Sequence, residues 1–271
     1  MVAQSLNGKV VIVTGAANGL GRAMALGLAE AGAHVVATTS RNAAALEALA
    51  AEAHRLPSSG TVVPLLGDVT NEADCDKVAA TAIARFGALH ILVNNAGRGM
   101  KYVSEAFMTT PTRFWETDPQ TWQMIINTNV NGPFLMSRAV VPHLLAAGWG
   151  RIINISMNYE TMRRRGFSPY GPSKAALESE TIIWSQDLKD TPITVNALLP
   201  GGAVETGMIP ASFPVDARTR LLRPEIMVPP LLWLASEQSD GFTGRRIVAS
   251  EWSPEKAANS TNAGWPMNRV Q

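Results

Sequence analysis

The chain has 271 residues, 46% of them apolar and 17% charged, and its 23 Lys and Arg against 22 Asp and Glu leave a net charge of +1. This composition excludes a disordered chain and gives no whole-molecule electrostatic reason to expect a nucleic-acid or membrane partner. Cys75 is the only cysteine, which rules out an intrachain disulfide and a multi-cysteine metal site. No metal is expected, and with no signal-like leader and no apolar run near the ~18 residues of a membrane span, the expected location is the cytoplasm.

Val10 to Thr14 is a β-branched run, too short for a helix and ended by glycine, and reads as a buried strand. Thr14-Gly15-Ala16-Ala17-Asn18-Gly19-Leu20-Gly21 follows and runs into an Ala/Leu-rich helix ending near Gly32. Strand, glycine loop and helix is the order that aims helix N-terminal amides at a phosphate. Gly15 suits the tight turn, Gly19 the approach of a pyrophosphate, and Gly21 the close packing of helix on strand. The spacing is GxxxGxG rather than GxGxxG. His34 to Thr39 is predicted as the second strand. Many NAD sites place an acid about 20 residues past the glycines to bond the ribose 2′-OH, but this strand ends Thr39-Ser40-Arg41. Ser40 and Arg41 instead suit the extra phosphate of NADP, so NADP(H) is expected over NAD(H).

A helix is predicted over Ala43–Arg55, broken by Pro57-Ser58-Ser59-Gly60, then a strand over Thr61–Leu66 and a helix from Thr70 or Asn71 to about Phe86. Leu89–Val93 is a fourth strand. The alternation argues for a doubly wound parallel sheet with right-handed crossovers. Residues 98–118 break that rhythm with Thr, Pro and aromatics, as a substrate-side flap or a subunit contact. A long helix is predicted from Pro119 to about Ala147, kinked or divided at Pro133 and Pro142. Ile152–Ser156, Tyr170–Lys189, Ile193–Leu198, Val228–Ala235 and Ile247–Ala249 complete the predicted strands and helices. Residues 203–227 are proline-punctuated and irregular, and the polar tail 253–271 carries Trp265 and Pro266 as expected anchors.

Tyr170 and Lys174 are four apart at a helix start, so phenol and ammonium share one face and can reach the same ligand. Taken alone, that spacing is equally that of a helix start with a solvated lysine. Arg163-Arg164-Arg165 lies in the loop before it, to meet an anion or solvent. His34, His54, His90 and His143 have no metal-ligand spacing.

TGAANGLG at 14–21, NNAG at 94–97, NVNG at 129–132, NIS at 154–156, YGPSK at 170–174 and PGG at 200–202 follow one another in order. Over about Asn7 to Ala249 this set resembles the short-chain dehydrogenase/reductase family. The resemblance implies one Rossmann-type domain over 1–271, an α/β fold of about seven parallel strands with helices on both faces, and an extended nicotinamide cofactor. It implies Tyr170 as acid/base, Lys174 as the lysine that lowers its pKa, and Asn129 as the holder of a proton-relay water at a helix kink. Asn94 and Gly97 would support the cofactor ribose and central strand, Asp68 the adenine, and Thr206 the carboxamide. Asn18, Leu20, Val69, Asn95, Ala96, Pro200 and Gly201 complete the implied cofactor contacts. A homo-oligomer, dimer or tetramer, and a small carbonyl or alcohol substrate are also implied.

One departure matters. The family's catalytic serine commonly stands thirteen residues before the tyrosine, which here is Met157, with Ser156 one further back. Either Ser156 serves, or a thioether that cannot donate a useful hydrogen bond replaces the hydroxyl, with Asn158 or Tyr159 as substitutes. The expected activity is hydride transfer between NADP(H) and a carbonyl or secondary alcohol. The alternatives are a cofactor-binding regulatory or scaffolding homologue with weak turnover, motivated by Met157, and a C=N reductase.

Overall fold

In a computed structural model, residues 6–57, 60–257 and 259–264 are described; Trp265 and Pro266 lie outside them, as do Ser58 and Ser59. Seven strands form one sheet: β1 (Val10–Thr14), β2 (His34–Thr39), β3 (Val62–Leu66), β4 (Ile91–Asn94), β5 (Gly150–Ile155), β6 (Ile193–Leu199) and β7 (Arg246–Val248). All pair in parallel, in the order β3-β2-β1-β4-β5-β6-β7. Parallel strands need crossovers, which the helices supply. These are α1 (Gly19–Glu30), α2 (Ala43–Ala53), α3 (Glu72–Phe86), α4 (Pro119–Ile126), α5 (Gly132–Ala147), α6 (Tyr159–Met162), α7 (Tyr170–Asp187), α8 (Val215–Arg218), α9 (Val228–Ala235) and α10 (Pro254–Ala257).

Strand alternation divides the core into two layers. Val11 and Val13 face α1, α2 and α9, where Met24, Leu28, Leu49, Leu231 and Leu234 are buried. Val10 and Ile12 face α3, α5 and α7, against Val78, Ala82, Met136, Val140 and Leu144. Each such aliphatic side chain, buried against its partner layer, contributes about 1.5–3 kcal/mol of transfer free energy. Pro64 fits in β3 because β3 is an edge strand, where a missing N–H costs no inner ladder bond. Asn71 caps α3, its side chain accepting from the Asp74 amide at 3.1 Å, which deletes one unsatisfied helix donor.

The long helix expected over 119–147 is two helices separated by a π-turn at Asn127–Asn131. Pro133 has no N–H to give the Asn129 carbonyl four residues earlier, so the α-pattern cannot continue through it. Pro142 stays inside α5 without ending it. Residues 98–118 hold two short 3-10 turns, Met100–Tyr102 and Phe114–Glu116, and residues 203–227 hold α8 and a third at Pro224–Met227. The tail is docked: Arg245 bridges Asn262 in antiparallel fashion and the Ala263 amide donates to Gly244 at 2.8 Å. Among the described residues no helix is long and apolar enough to cross a membrane.

Candidate active site

Strand order reverses between β1 and β4, and at the carboxyl ends of the strands a cleft of about 940 Å³ opens there, the expected place for a ligand in a doubly wound sheet. One end is lined by Gly15, Asn18, Gly19, Leu20, Gly21, Ser40, Arg41, Asp68 and Val69. Asn95, Ala96, Gly97, Lys174, Pro200 and Thr206 line the middle. Tyr102, Phe107, Met108, Arg164 and Phe167 line the far side beside Tyr170.

The glycine end fits a dinucleotide. Asn18, the N-cap of α1, makes no side-chain capping bond, so no cap side chain claims the first-turn amides that suit an anion. Gly19 has φ +54°, and a Cβ on it would stand 2.9 Å from Thr206 Cγ2. A Cβ on Gly21 would stand 2.3 Å from the Gly15 carbonyl oxygen, so any side chain would push α1 off the loop. Thr14 Oγ1 accepts from the Asn95 and Ala96 amides at 3.0 and 2.9 Å, and Asn95 Nδ2 donates to the Thr14 carbonyl at 2.8 Å. Those bonds fix the two strand ends flanking the cleft. Asp68 holds Thr70 through Oδ1, at 2.9 Å from its amide and 2.8 Å from its hydroxyl. Ser40 and Arg41 are exposed at the cleft edge. Among the described residues Arg41 has no carboxylate within ion-pair distance, whereas Arg22 nearby in sequence is held by Glu52.

Two implied contacts belong elsewhere. Asn94 is buried behind the strand ends, with Nδ2 donating to Asn154 Oδ1 at 2.9 Å and to Ser137 Oγ at 3.2 Å; it ties β4 to β5 and α5 and does not line the cleft. Gly201 does not line it either. Its φ of +93° turns the chain against Ser250, whose Oγ would stand 2.0 Å from a Cβ there, and its carbonyl accepts from Asn158 Nδ2 at 3.0 Å.

Tyr170 opens α7, and Lys174 follows one turn on at the same cleft. Lys174 Nζ donates to the Ile155 carbonyl at 2.7 Å. Burial pulls its ammonium down to about 8, with Glu178 opposing that shift. Burial pushes the Tyr170 phenol up to about 12, so it is a neutral hydroxyl at neutral pH. Its ring packs on a cluster of Met100, Met157, Met162 and Phe167. Asn129 sits in the π-turn, with Oδ1 accepting from the Arg98 amide at 2.8 Å and Nδ2 donating to Ser173 Oγ at 2.9 Å. Ser173 in turn donates to the Tyr170 carbonyl at 2.7 Å. A Cβ on Gly97 would stand 3.4 Å from Asn129 Oδ1 and 3.8 Å from Lys174 Nζ, so the amide and the ammonium flank one point of the cleft wall. Such an arrangement can deliver a proton from a phenol and hold the base left behind against a cation.

The register at the end of β5 sets the surroundings of Ser156 and Met157. Asn154 reaches toward α7, bonding Thr181 Oγ1 at 2.9 Å, and two residues on Ser156 leaves the chain on the same side. Ser156 Oγ donates to Glu178 Oε1 at 2.5 Å and is buried. Its hydroxyl hydrogen goes to a carboxylate on α7, while the residue itself stands on the cleft wall. Ser156 and Met157 both line the cleft, and Met157 packs in the cluster with Tyr170. Of the two substitutes, Tyr159 gives its hydroxyl to the Gly264 carbonyl and does not line the cleft. Asn158 does line it, with one amide hydrogen spent on Gly201.

Four residues of this site escape sequence reasoning. Glu178 continues the face of Tyr170 and Lys174 by another turn, so its spacing was available as a signal. Arg246, which pairs with it at 3.0 Å, comes from 68 residues away and carries no local sign. Thr14 and Ser173 act through hydroxyls that only the assembled strands bring to their partners. In the arginine run, Arg164 lines the cleft and lies 5.2 Å from the Phe167 ring centroid, while Arg163 and Arg165 do not line it.

Residues 9–214 match the model of the short chain dehydrogenase family. A short-chain type dehydrogenase/reductase of Picea abies is 37% identical over 253 residues, covering 87% of this chain and 88% of that one. A 3-oxoacyl-(acyl-carrier-protein) reductase of Thermotoga maritima is 32% identical, covering 89% and 96%. Among solved structures, a putative NAD(P)-dependent gluconate 5-dehydrogenase from Beutenbergia cavernae with bound NADP superposes with TM-score 0.78 at 28% identity, covering 91% and 97%. A 3-ketoacyl-(acyl-carrier-protein) reductase from Brucella melitensis complexed with NADH gives TM-score 0.78 at 30% identity, covering 90% and 97%. The chain belongs to the short-chain dehydrogenase/reductase family and is an NAD(P)-dependent oxidoreductase acting between CH–OH and C=O.

Proposed function

We propose that the chain is an NADP(H)-preferring reductase of ketones or aldehydes, running in reverse on secondary alcohols, with Tyr170 as the proton donor. The observation that carries this reading is the neutral Tyr170 phenol on the cleft with Lys174 one helical turn away. When bound, the nicotinamide supplies or accepts the hydride. The chain's own residues orient the reactants and handle the proton. Tyr170 gives its hydrogen to the substrate oxygen as negative charge builds there, and Lys174 stabilises the phenolate that remains. Burial holds this phenol at about 12, so a phenolate near pH 7 takes roughly 7 kcal/mol, of which one unit charge ~4 Å away supplies about 4 at an effective dielectric near 20; the positive ring of the oxidised cofactor, when bound, would add to it. Asn129 and Ser173 hold the first turn of α7 in register with the cleft. At the other end, Arg41 has no carboxylate partner among the described residues and Ser40 stands beside it, where NAD-specific sites carry an acid. That favours the 2′-phosphate of NADP.

The test is NADPH oxidation over a panel of ketones and aldehydes. Turnover should be lost in Tyr170→Phe while NADPH still binds; unchanged turnover refutes the assignment of Tyr170. For the cofactor, fluorescence titration should show NADPH binding more tightly than NADH, with Arg41→Ala narrowing the gap. Equal affinities in the parent chain would sink the Ser40–Arg41 argument.

A further inference from the structure

Behind the catalytic wall lies a buried ion pair that the proposed chemistry does not use. Glu178 and Arg246 are 1% and 6% exposed and meet at 3.0 Å. A buried pair like this gains little net stability over well-packed apolar side chains, so its other contacts are the informative ones. They converge on three consecutive residues at the end of β5. The Ile155 carbonyl receives Lys174 Nζ at 2.7 Å, Ser156 Oγ is held by Glu178 at 2.5 Å, and the Met157 carbonyl receives Arg246 Nη2 at 2.5 Å. The second carboxylate oxygen of Glu178 accepts the Gly264 amide at 3.0 Å. Tyr159 spans the assembly, giving its hydroxyl to the Gly264 carbonyl while its ring lies 3.9 Å under the Arg246 guanidinium. Both polar groups of one residue in the C-terminal segment are therefore clamped by side chains from either side of the catalytic loop.

We propose that the Glu178–Arg246 pair, closed by the backbone of Gly264, is a positioning device that holds residues 155–157 for Lys174 and makes the C-terminal segment part of the active site. Lys174 takes its orientation from the Ile155 carbonyl, and Met157 sets the wall against which Tyr170 packs. If the strand end shifts, the ammonium loses its acceptor and the phenol its contact surface. Glu178, Arg246 and Gly264 touch neither substrate nor cofactor; they act through Lys174 and Met157. The inference rests on the proposed roles of Tyr170 and Lys174.

Two variants of the full protein separate this from a purely structural role. Glu178→Gln removes the charge that Arg246 and Ser156 share. A chain ending at Ala263 keeps the ion pair and the tail's bonds to Gly244 and Arg246 and takes away the closure by Gly264, so it decides the matter if the first variant does not fold. With NADPH and a ketone the parent reduces, kcat per NADPH-binding site should fall about 10- to 100-fold in both, as small misplacements of catalytic groups do, with KM for NADPH little changed. The alkaline limb of the kcat profile should also move to lower pH in Glu178→Gln, because Lys174 loses a neighbouring negative charge. Unchanged kcat per binding site in the shortened chain, with an unmoved limb in Glu178→Gln, would overturn the proposal. If the parent reduces no carbonyl, the proposed function fails, and the device is then read without turnover. The Tyr170 phenolate titration, taken as the ultraviolet difference between each chain and its Tyr170→Phe counterpart, should shift downward in the shortened chain, because burial is what raises it; an unmoved midpoint overturns the device.

Discussion

Met157 stands thirteen residues before Tyr170 and lines the cleft beside Ser156, and a thioether has no hydrogen to offer. A hydroxyl donor to the developing alkoxide typically contributes about 10²–10³ in rate, so the parent chain should be slow unless Asn158 takes the role with its remaining amide hydrogen. Met157→Ser is expected to raise kcat for ketone reduction by at least about tenfold, measured under NADPH saturation. A fall in kcat would mean that the thioether wall, not a missing donor, is what the substrate needs. Glu180 presents a second residue-scale conflict: its Oε2 is buried without a partner, and burial raises its carboxyl from 4.5 to about 7. A raised acid binds its proton more tightly folded than unfolded. The stability this contributes is complete below pH 4.5 and is lost as pH rises through 7. Glu180→Gln should therefore gain on the parent in unfolding free energy, measured by denaturant titration, as pH rises from about 5 to about 8, by up to about 1–3 kcal/mol at the upper end. A pH-independent difference between the two would contradict the burial argument. Tyr170 and Lys174 were legible because their relation is local, four residues on one helix. The surroundings of Ser156 and Met157 were not, because their partners Glu178 and Arg246 stand 22 and 89 residues away.

Elements were legible in proportion to how much of their cause is local. The β-branched strands and the Asn71 cap follow from short-range chemistry, and β1 and β2 run from Val10 to Thr14 and from His34 to Thr39 as their patterns require. The break in the helix before Pro133 was expected from the ring, but its form was not. The sequence shows a missing N–H; that the chain absorbs it as a π-turn centred on Asn129 depends on bonds from that side chain to Arg98 and Ser173. That turn matters for function because it swings Asn129 out of the helix register and onto the first turn of α7. The segments 98–118 and 203–227 resisted for a different reason. Their short helical turns are held by contacts to each other's surroundings, such as the Thr112 hydroxyl on the Gly166 carbonyl at 2.8 Å and Lys101 Nζ on the Gly207 carbonyl at 3.5 Å, which no periodicity encodes.

At the scale of the molecule, one sheet carries everything. Its order reversal between β1 and β4 opens the cleft, the glycine loop lines one end of it, and α7 brings phenol and ammonium to the wall. The tail crosses back to the same place through Gly264. A chain built this way moves a hydride between its nicotinamide and a carbonyl carbon, and the direct measurement of that is label transfer. NADPH deuterated at the transferable C4 position, incubated with the ketone and aldehyde panel, is expected to place deuterium on the carbinol carbon of a product, with the transfer lost in Tyr170→Phe. Tight NADPH binding with no deuterium in any product would contradict the account and leave a cofactor-binding protein without this reaction.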